Sequence, residues 1–95
     1  MPKVKTYPYD SADYLNTVEA IGVYLEEAFN TEDAAFISFA LGTVARSKGM
    51  AEVARKAGLS RESLYKALSK DGNPEFATIL KVMKALDLKL TATAA

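Results

Sequence analysis

One stretch, residues 50–69, constrains the fold more than any other, because it holds two short helical patterns joined at a glycine. The first pattern predicts a helix over Met50–Ala57. Gly58 follows it as the residue best able to adopt the left-handed conformation that ends a helix. Ser60 then predicts an N-cap for a second helix that ends near Ser69. The chain is therefore expected to turn sharply at Gly58.

The spacing within this stretch is that of a helix-turn-helix. Such a unit needs a small residue in its first helix, a glycine at the turn and apolar residues that hold the second helix on the core. Ala54, Gly58, Leu59 and Leu64 fill these roles. The alternative is an ordinary helical hairpin with a solvated polar face, since patterns of helix, glycine and helix are common.

Three further helices are predicted by apolar residues at helical spacing. They extend from a cap at Thr17 to about Asn30, from a cap at Thr31 to near Lys48 with Gly49 as its end, and from Asn73 and Pro74 to near Asp87. Phe36 is expected on the apolar face of the middle helix, and Phe39 widens that face. The last helix is expected to bury Phe76, Ile79, Leu80, Met83 and Leu86. The predicted fold class is all-α, with five helices or so.

The two ends of the chain are less regular. Residues 1–9 contain two prolines and predict an extended arm, and residues 10–95 are expected to form a single helical domain. Asp10 or Ser11 is a candidate cap for a short helical turn before the first long helix. Residues 88–92 alternate apolar and polar side chains, which indicates either a short strand that pairs only with a partner or a frayed end.

Composition limits the chemistry. The 95 residues suffice for one core, and the chain has neither cysteine nor histidine, which removes disulfides, thiolate metal sites and nearly all catalytic triads. We therefore expect a binding protein that is no enzyme and uses no metal or cofactor. No apolar run reaches the ~20 residues that cross a bilayer, so we expect a cytoplasmic protein without a membrane partner.

Charge is divided between the two halves of the chain although the total is zero. Residues 1–45 carry two lysines against seven acids, a net charge of −5. Residues 46–95 carry ten basic residues against five acids, a net charge of +5. This division predicts two surfaces with different partners, and the basic half suits nucleic acid. Chance is the plain alternative, because small domains often have uneven charge.

The outer face of the second motif helix supplies the candidate DNA contacts. Arg61 is expected to pair with guanine, Glu62 to accept from a cytosine amino group or to support the helix N-terminus, and Tyr65 to touch a thymine methyl or a phosphate. Contacts to phosphate or sugar are expected from the side chains of Ser60, Ser63, Lys66 and Lys70. Ser69 lies on the same face, whereas the lysines of the last helix, Lys81 and Lys84, are expected to be solvated.

These residues also resemble a known family. Residues 51–90, AEVARKAGLSRESLYKALSKDGNPEFATILKVMKALDLKL, resemble the Cro and lambda-repressor type of helix-turn-helix, also called the XRE type. The segments YDSADYLNTVEAIGVYLEEAF, GTVARSKGM and GLSRESLYKALSKDGNP together resemble the addiction module antidote family, the HigA-like antitoxins. The similarity extends from Tyr9 to Thr91, and its longest motif, residues 58–74, is specific.

The resemblance implies a lambda-repressor-like fold with an N-terminal helical extension, and a homodimer on a palindromic operator. It also implies a toxin partner of the RelE/HigB-like type that cleaves messenger RNA. Carried over residue by residue, the recognition positions are Ser60, Arg61, Glu62, Ser63, Tyr65 and Lys66. Where related repressors often have a glutamine at the start of the first motif helix, this chain has Met50, which departs from the family pattern at a position where those repressors contact DNA.

Two functions of different classes follow, an operator-binding repressor and a module that neutralises a basic toxin through the acidic half. Antitoxins of this type combine both. The alternatives are an orphan prophage-type repressor without a toxin, and a toxin-binding module with weak DNA binding. RNA binding is a weaker option, because the exposed aromatic residues form no stacking platform. For the dimer, the segment from Leu86 to Thr91 is preferred over exposed apolar residues of the N-terminal helices.

Overall fold

The structure, a computed structural model, describes residues 15–69 and 71–95. This part of the chain holds five helices and no strand, which confirms the all-α prediction. The helices are α1 (Val18–Asn30), α2 (Ala34–Lys48), α3 (Met50–Ala57), α4 (Arg61–Ala67) and α5 (Phe76–Ala85). The predicted arm over residues 1–9, the cap at Asp10 or Ser11 and the side chain of Lys70 lie outside the described residues.

Helix α2 was predicted to be the central packing helix, but its main contacts are with two helices, whereas those of α3 are with three. Consecutive residues of α2 over 40–45 are buried, so the helix is enclosed over this stretch, and its last turn is exposed again at Arg46 and Lys48. It packs against α1 and α3, and α3 packs in turn against α4 and α5. All five helices contribute to one core, whose largest fully buried side chains are Ile21, Leu41, Val44, Val53, Leu64 and Val82. Burial of such aliphatic side chains is the main source of stability in a chain of this size.

Helix α1 begins as predicted, and α2 does not. The Thr17 hydroxyl accepts a hydrogen bond from the Ala20 amide at 3.0 Å and caps α1. The predicted cap of α2, Thr31, is wrong, because its hydroxyl donates to the Ala28 carbonyl at 2.6 Å and so closes α1. Asp33 caps α2 instead, since its carboxylate accepts from the Phe36 amide at 3.1 Å.

The prediction for α5 was wrong in its start and in part of its buried face. The helix begins at Phe76, two residues beyond the predicted Pro74, and its N-cap residue Glu75 makes no side-chain cap bond. Phe76 and Leu80 were expected in the core and are 67% and 43% exposed, whereas Val82 is fully buried. The core lies on the side of Val82, Met83 and Leu86, so the other two side chains project past its edge. Phe36 and Phe39 of α2 are likewise exposed.

Two shorter segments also differ from expectation. Helix α4 ends at Ala67, earlier than the predicted Ser69, because Leu68 leaves helical geometry with φ −99° and ψ 15°. After α5 the chain reverses at Asp87, where φ is +62°, and the side chains of Leu88 and Leu90 pack against the core. The C-terminal segment therefore lies against the folded body next to α1 and is not frayed there. None of the helices in the described ranges combines the length and apolarity required to traverse a bilayer.

Gly42 allows α2 and the end of α4 to approach closely. A Cβ atom at this position would lie 2.7 Å from the Leu68 carbonyl oxygen, which belongs to the backbone and cannot rotate away. We therefore expect Gly42→Ala to lower the free energy of unfolding by about 1–3 kcal/mol. Gly22→Ala in α1 is the matched control, because its Cβ would meet nothing within 4 Å and should raise stability by about 0.4–1 kcal/mol. Urea unfolding of both variants measures the difference, and equal effects would contradict this packing.

Candidate nucleic-acid interface

The turn between α3 and α4 has the geometry predicted for Gly58. This residue adopts φ 73° and ψ 31°, the left-handed region that side chains disfavour. The Leu59 amide donates to the Ala54 carbonyl at 2.9 Å, and the Gly58 amide donates to the Arg55 carbonyl at 3.2 Å. These bonds satisfy carbonyl groups at the end of α3. The direction in which the chain enters α4 is thereby determined by backbone hydrogen bonds.

Helix α4 is held on the core by its inner face. Leu64 is fully buried, Leu68 is nearly so, and Leu59 packs partly against the same cluster. Ala54 of α3 is also buried, and its small side chain permits the contact between α3 and α4. The four residues that the spacing assigned to the helix-turn-helix are therefore placed as expected. The opposite face of α4 must consequently point to solvent.

The start of α4 is organised by two serines. The Ser60 hydroxyl accepts a hydrogen bond from the Ser63 amide at 3.0 Å, as an N-cap does. It also donates to the Ser63 hydroxyl, with 2.8 Å between the two oxygens. Both hydroxyl groups are at the surface, next to backbone amides of the first turn. Such a helix start presents donors suited to a phosphate oxygen.

The outer face of α4 carries the predicted contact residues. Arg61, Glu62, Tyr65 and Lys66 are all exposed, and one helical turn separates Arg61 from Tyr65 and Glu62 from Lys66. Two parallel pairs thus cover this face. Ser69 follows in the turn after the helix, where its hydroxyl donates to the Lys66 carbonyl at 3.0 Å. The structure therefore brings six predicted site residues, Ser60 to Ser63, Tyr65 and Lys66, to one exposed surface.

The cations of α3 and α4 differ in their partners. Arg55 binds Glu52 through two hydrogen bonds of 2.6 and 3.2 Å, and the Lys56 ammonium lies 3.8 Å from the same carboxylate. The hydrogen bond from Arg55 is the largest cause that lowers the pKa of Glu52, and the same bond raises the pKa of Arg55. The pattern of acids three and four residues before bases could have revealed these pairs in the sequence.

Arg61 has a different environment. Its guanidinium lies over the ring of Tyr65, 5.6 Å from the ring centroid, a distance at which a cation and an aromatic face attract each other. Among the described residues it has no carboxylate within salt-bridge distance. Its donors are therefore not occupied by an acid, in contrast to those of Arg55. The sequence spacing put both side chains on one face but did not predict that they touch.

A second exposed surface lies on α1. Its outer stripe contains Glu19, Val23, Glu26 and Glu27, which recur at three- and four-residue intervals and are all exposed. We call this stripe the acidic face. Helix α1 packs mainly against α2, whereas α4 packs mainly against α3. The acidic face and the outer face of α4 therefore lie on helices with different packing partners. In the described part of the chain, no group of three or more carboxylates is arranged to hold a metal ion.

The fold is therefore that of a small all-helical protein in which α3 and α4 have a helix-turn-helix arrangement. Residues 5–94 match the family model described as "Probable addiction module antidote protein", and the chain belongs to this family. It is also 51% identical over 81 residues to an uncharacterized protein of Haemophilus influenzae strain KW20 Rd, covering 85% of this chain and 84% of that protein. No solved structure matches the chain. The predicted resemblance to addiction module antidotes is confirmed, and the family implies a toxin partner.

The cap at Ser60 provides a test of how α4 is held. Ser60→Ala removes the acceptor for the Ser63 amide, and we expect the free energy of unfolding to fall by about 1 kcal/mol. Ser69→Ala is the control, because Ser69 lies beyond the end of α4 and its hydroxyl only donates to the Lys66 carbonyl, so its loss should matter less. Thermal unfolding followed by circular dichroism measures both. A Ser60→Ala variant as stable as the parent would show that the cap is dispensable.

Proposed function

We propose that the chain is a sequence-specific DNA-binding antitoxin of a type II toxin-antitoxin module. It is HigA-like, with an XRE helix-turn-helix of the Cro and lambda-repressor type, and binds a palindromic operator as a homodimer to repress its own operon. It neutralises a RelE/HigB-like ribonuclease toxin in the cytoplasm. It acts by binding alone, as neither an enzyme nor a cofactor protein. Family membership supports the antidote role.

DNA binding is supported chiefly by one observation, the exposed row of polar side chains on a helix whose other face is locked to the core. A helix of this width fits the major groove, and the N-terminal residues of a recognition helix reach the base edges. In α4 these residues are Arg61, Glu62 and Tyr65. Ser60, Ser63, Lys66 and Lys70 are assigned to phosphate or sugar, where they would set the register without selecting a base.

Arg61 is the residue to which we assign most of the base selection. A guanidinium presents a planar fork of donors that matches the two acceptors of guanine. No carboxylate of residues 15–69 or 71–95 forms an ion pair with Arg61, so no such pair has to break before the guanidinium meets a base. Stacking over Tyr65 restricts the directions the side chain samples before binding. Less conformational entropy is then lost on contact with a base. Arg55, paired with Glu52, must break two hydrogen bonds to do the same.

We expect Arg61→Ala and Tyr65→Ala to weaken binding to the upstream promoter about 10- to 100-fold, which corresponds to about 1–3 kcal/mol. Arg55→Ala removes one positive charge from the neighbouring helix and is the matched control, with an expected change below about threefold. Titration at two salt concentrations measures affinity and the number of phosphate contacts together. If Arg55→Ala weakens binding as much as Arg61→Ala, charge alone explains binding. If the parent protein does not bind the promoter DNA, the proposal that this chain recognises DNA is wrong.

Toxin binding is assigned to the acidic face of α1. A nuclease that grips RNA presents a basic surface, and opposite potentials steer two proteins together and penalise wrong partners. The acidic face offers Glu19, Glu26 and Glu27 around the exposed Val23, so an apolar contact lies within a charged surround. Contact surfaces with an apolar centre and a polar rim are common between proteins. The basic α4 would repel the same nuclease.

The proposed toxin contact is tested with the protein encoded by the gene adjacent to the gene for this chain. We expect the double variant Glu26→Lys and Glu27→Lys to lose co-purification with that product. The variant should also no longer relieve the growth arrest that the product causes in cells, because two attractive charges toward a basic partner become repulsive. Asp71→Lys, an exposed acid outside α1, makes the same type of charge change and should leave the complex intact. Unchanged rescue by the α1 variant would exclude this face. If the parent forms no complex with the adjacent product, the orphan repressor is favoured.

A further inference from the structure

The most exposed large apolar side chain in the described residues is Phe76, and Leu80 lies one helical turn beyond it on α5. They are 67% and 43% exposed, and both are in the same direction from the helix axis. We call these two residues the α5 patch. Neither belongs to the core, to the outer face of α4 or to the acidic face of α1. Because they are adjacent on one helix face, the two side chains form a small contiguous apolar surface of the kind that contacts another macromolecule when it is completed by a partner.

The start of α5 lies beside the candidate DNA-binding surface, whereas the α5 patch is on nearly the opposite side of that helix from Thr78, which faces this surface. A shallow surface groove is lined on one side by Ser63 and Lys66 of α4, and on the other by Pro74 and by Thr78 of α5. The first turn of α5, where Phe76 is located, is therefore a neighbour of α4, the helix proposed to enter the major groove of DNA. Whatever covers the patch must be compatible with DNA on α4, or must be brought there by it.

Charge around the patch distinguishes the possible occupants. Glu75 precedes it, and Lys81 and Lys84 follow it in the next turns, so its surroundings are net positive. A basic nuclease would be repelled by two lysines, and apolar side chains offer a duplex no polar contact. A second copy fits better. If two α5 helices pair in antiparallel orientation, the acid at the start of each helix approaches the lysine near the end of the other.

We propose that the α5 patch is the surface on which a second copy of this chain docks across a two-fold axis. This proposal rests on the proposed function, since it explains how two α4 helices come to address one operator. The segment from Leu86 to Thr91, favoured by the sequence pattern, is less suitable. Leu88 and Leu90 already pack against the core of their own chain, and the segment forms no strand in the described residues.

The size of the patch determines how the dimer forms. Stable protein interfaces bury about 800 Å² on each partner, more than two side chains supply. The contact is therefore weak in solution and becomes significant when two copies occupy adjacent half-sites. DNA then supplies a high local concentration of each copy for the other. Recognition helices of such dimers lie about 34 Å apart, one turn of the duplex. If the two copies contact each other in this way, we expect them to bind the operator cooperatively.

A cysteine cross-link tests the contact directly, because the chain has no cysteine of its own. Leu80→Cys is expected to form a disulfide-linked dimer under mild oxidation, with a yield that rises at least fivefold when promoter DNA is added. Val23→Cys, on the acidic face and 58% exposed, is the control and should cross-link weakly in both conditions. Equal yields from the two variants, with DNA present, would overturn the α5 contact while leaving DNA binding unaffected.

Cooperativity gives the second measurement. The parent is expected to occupy its promoter in a steep transition with two copies per duplex. Phe76→Glu and the milder Leu80→Gln should raise the concentration needed for the second copy at least tenfold. Both sites are exposed, so circular dichroism should show parent-like melting. A cooperative Phe76→Glu variant overturns the proposal, as does loss of toxin co-purification in Leu80→Gln. If the parent binds no DNA, the proposed function fails, and the contact between copies is then decided by whether Leu80→Cys cross-links more than Val23→Cys at high protein concentration.

Discussion

The left-handed conformation of Gly58 is the constraint on which the arrangement of the candidate site depends. It ends α3, allows the Leu59 amide to reach the Ala54 carbonyl, and so directs the chain into α4 at one angle. Burial of Leu64 then fixes the rotation of α4 about its axis. Once the inner face is determined, helical geometry alone decides which side chains face outward. The exposed face that we propose to bind DNA is therefore a consequence of a turn and a buried leucine that are not themselves part of that face.

Interactions between residues close in the sequence could be predicted from the sequence. Where two neighbouring residues were equally able to make the same interaction, the sequence did not show which of them makes it. The caps at Thr17 and Ser60 and the turn at Gly58 each depend on one residue and its near neighbours. Thr31 and Asp33 are both competent caps for α2, and the choice was made by the Ala28 carbonyl, which takes the threonine hydroxyl. For the site, helical spacing was enough to place its residues on one face. The contact between Arg61 and Tyr65 could not be predicted, because helical spacing brings the two residues close but does not determine the side-chain rotamers that place the guanidinium over the ring.

Burial on α5 shows a different limit of sequence patterns. Apolar residues at helical intervals indicate a stripe, but a stripe wider than the core contact leaves its edge in solvent. Val82, Met83 and Leu86 occupy the contact with the core, so Phe76 and Leu80 remain at that edge. A pattern cannot separate residues that pack within a chain from residues that pack between chains, because both need to leave water. The same stripe therefore contributes to the core in one part and leaves an exposed apolar pair in the other.

Zero net charge conceals a division that matters more than the total. An interaction with a charged partner falls off within about a Debye length, roughly 8 Å at physiological salt, so a partner senses the nearest surface and not the sum. The acidic face of α1 and the cations of α4 lie on helices that pack against different neighbours. A basic protein and a polyanion can thus each meet a favourable local field on the same small domain. Even within the basic half, pairing decides availability, because Glu52 engages Arg55 and Lys56 while Arg61 keeps its donors for another acceptor.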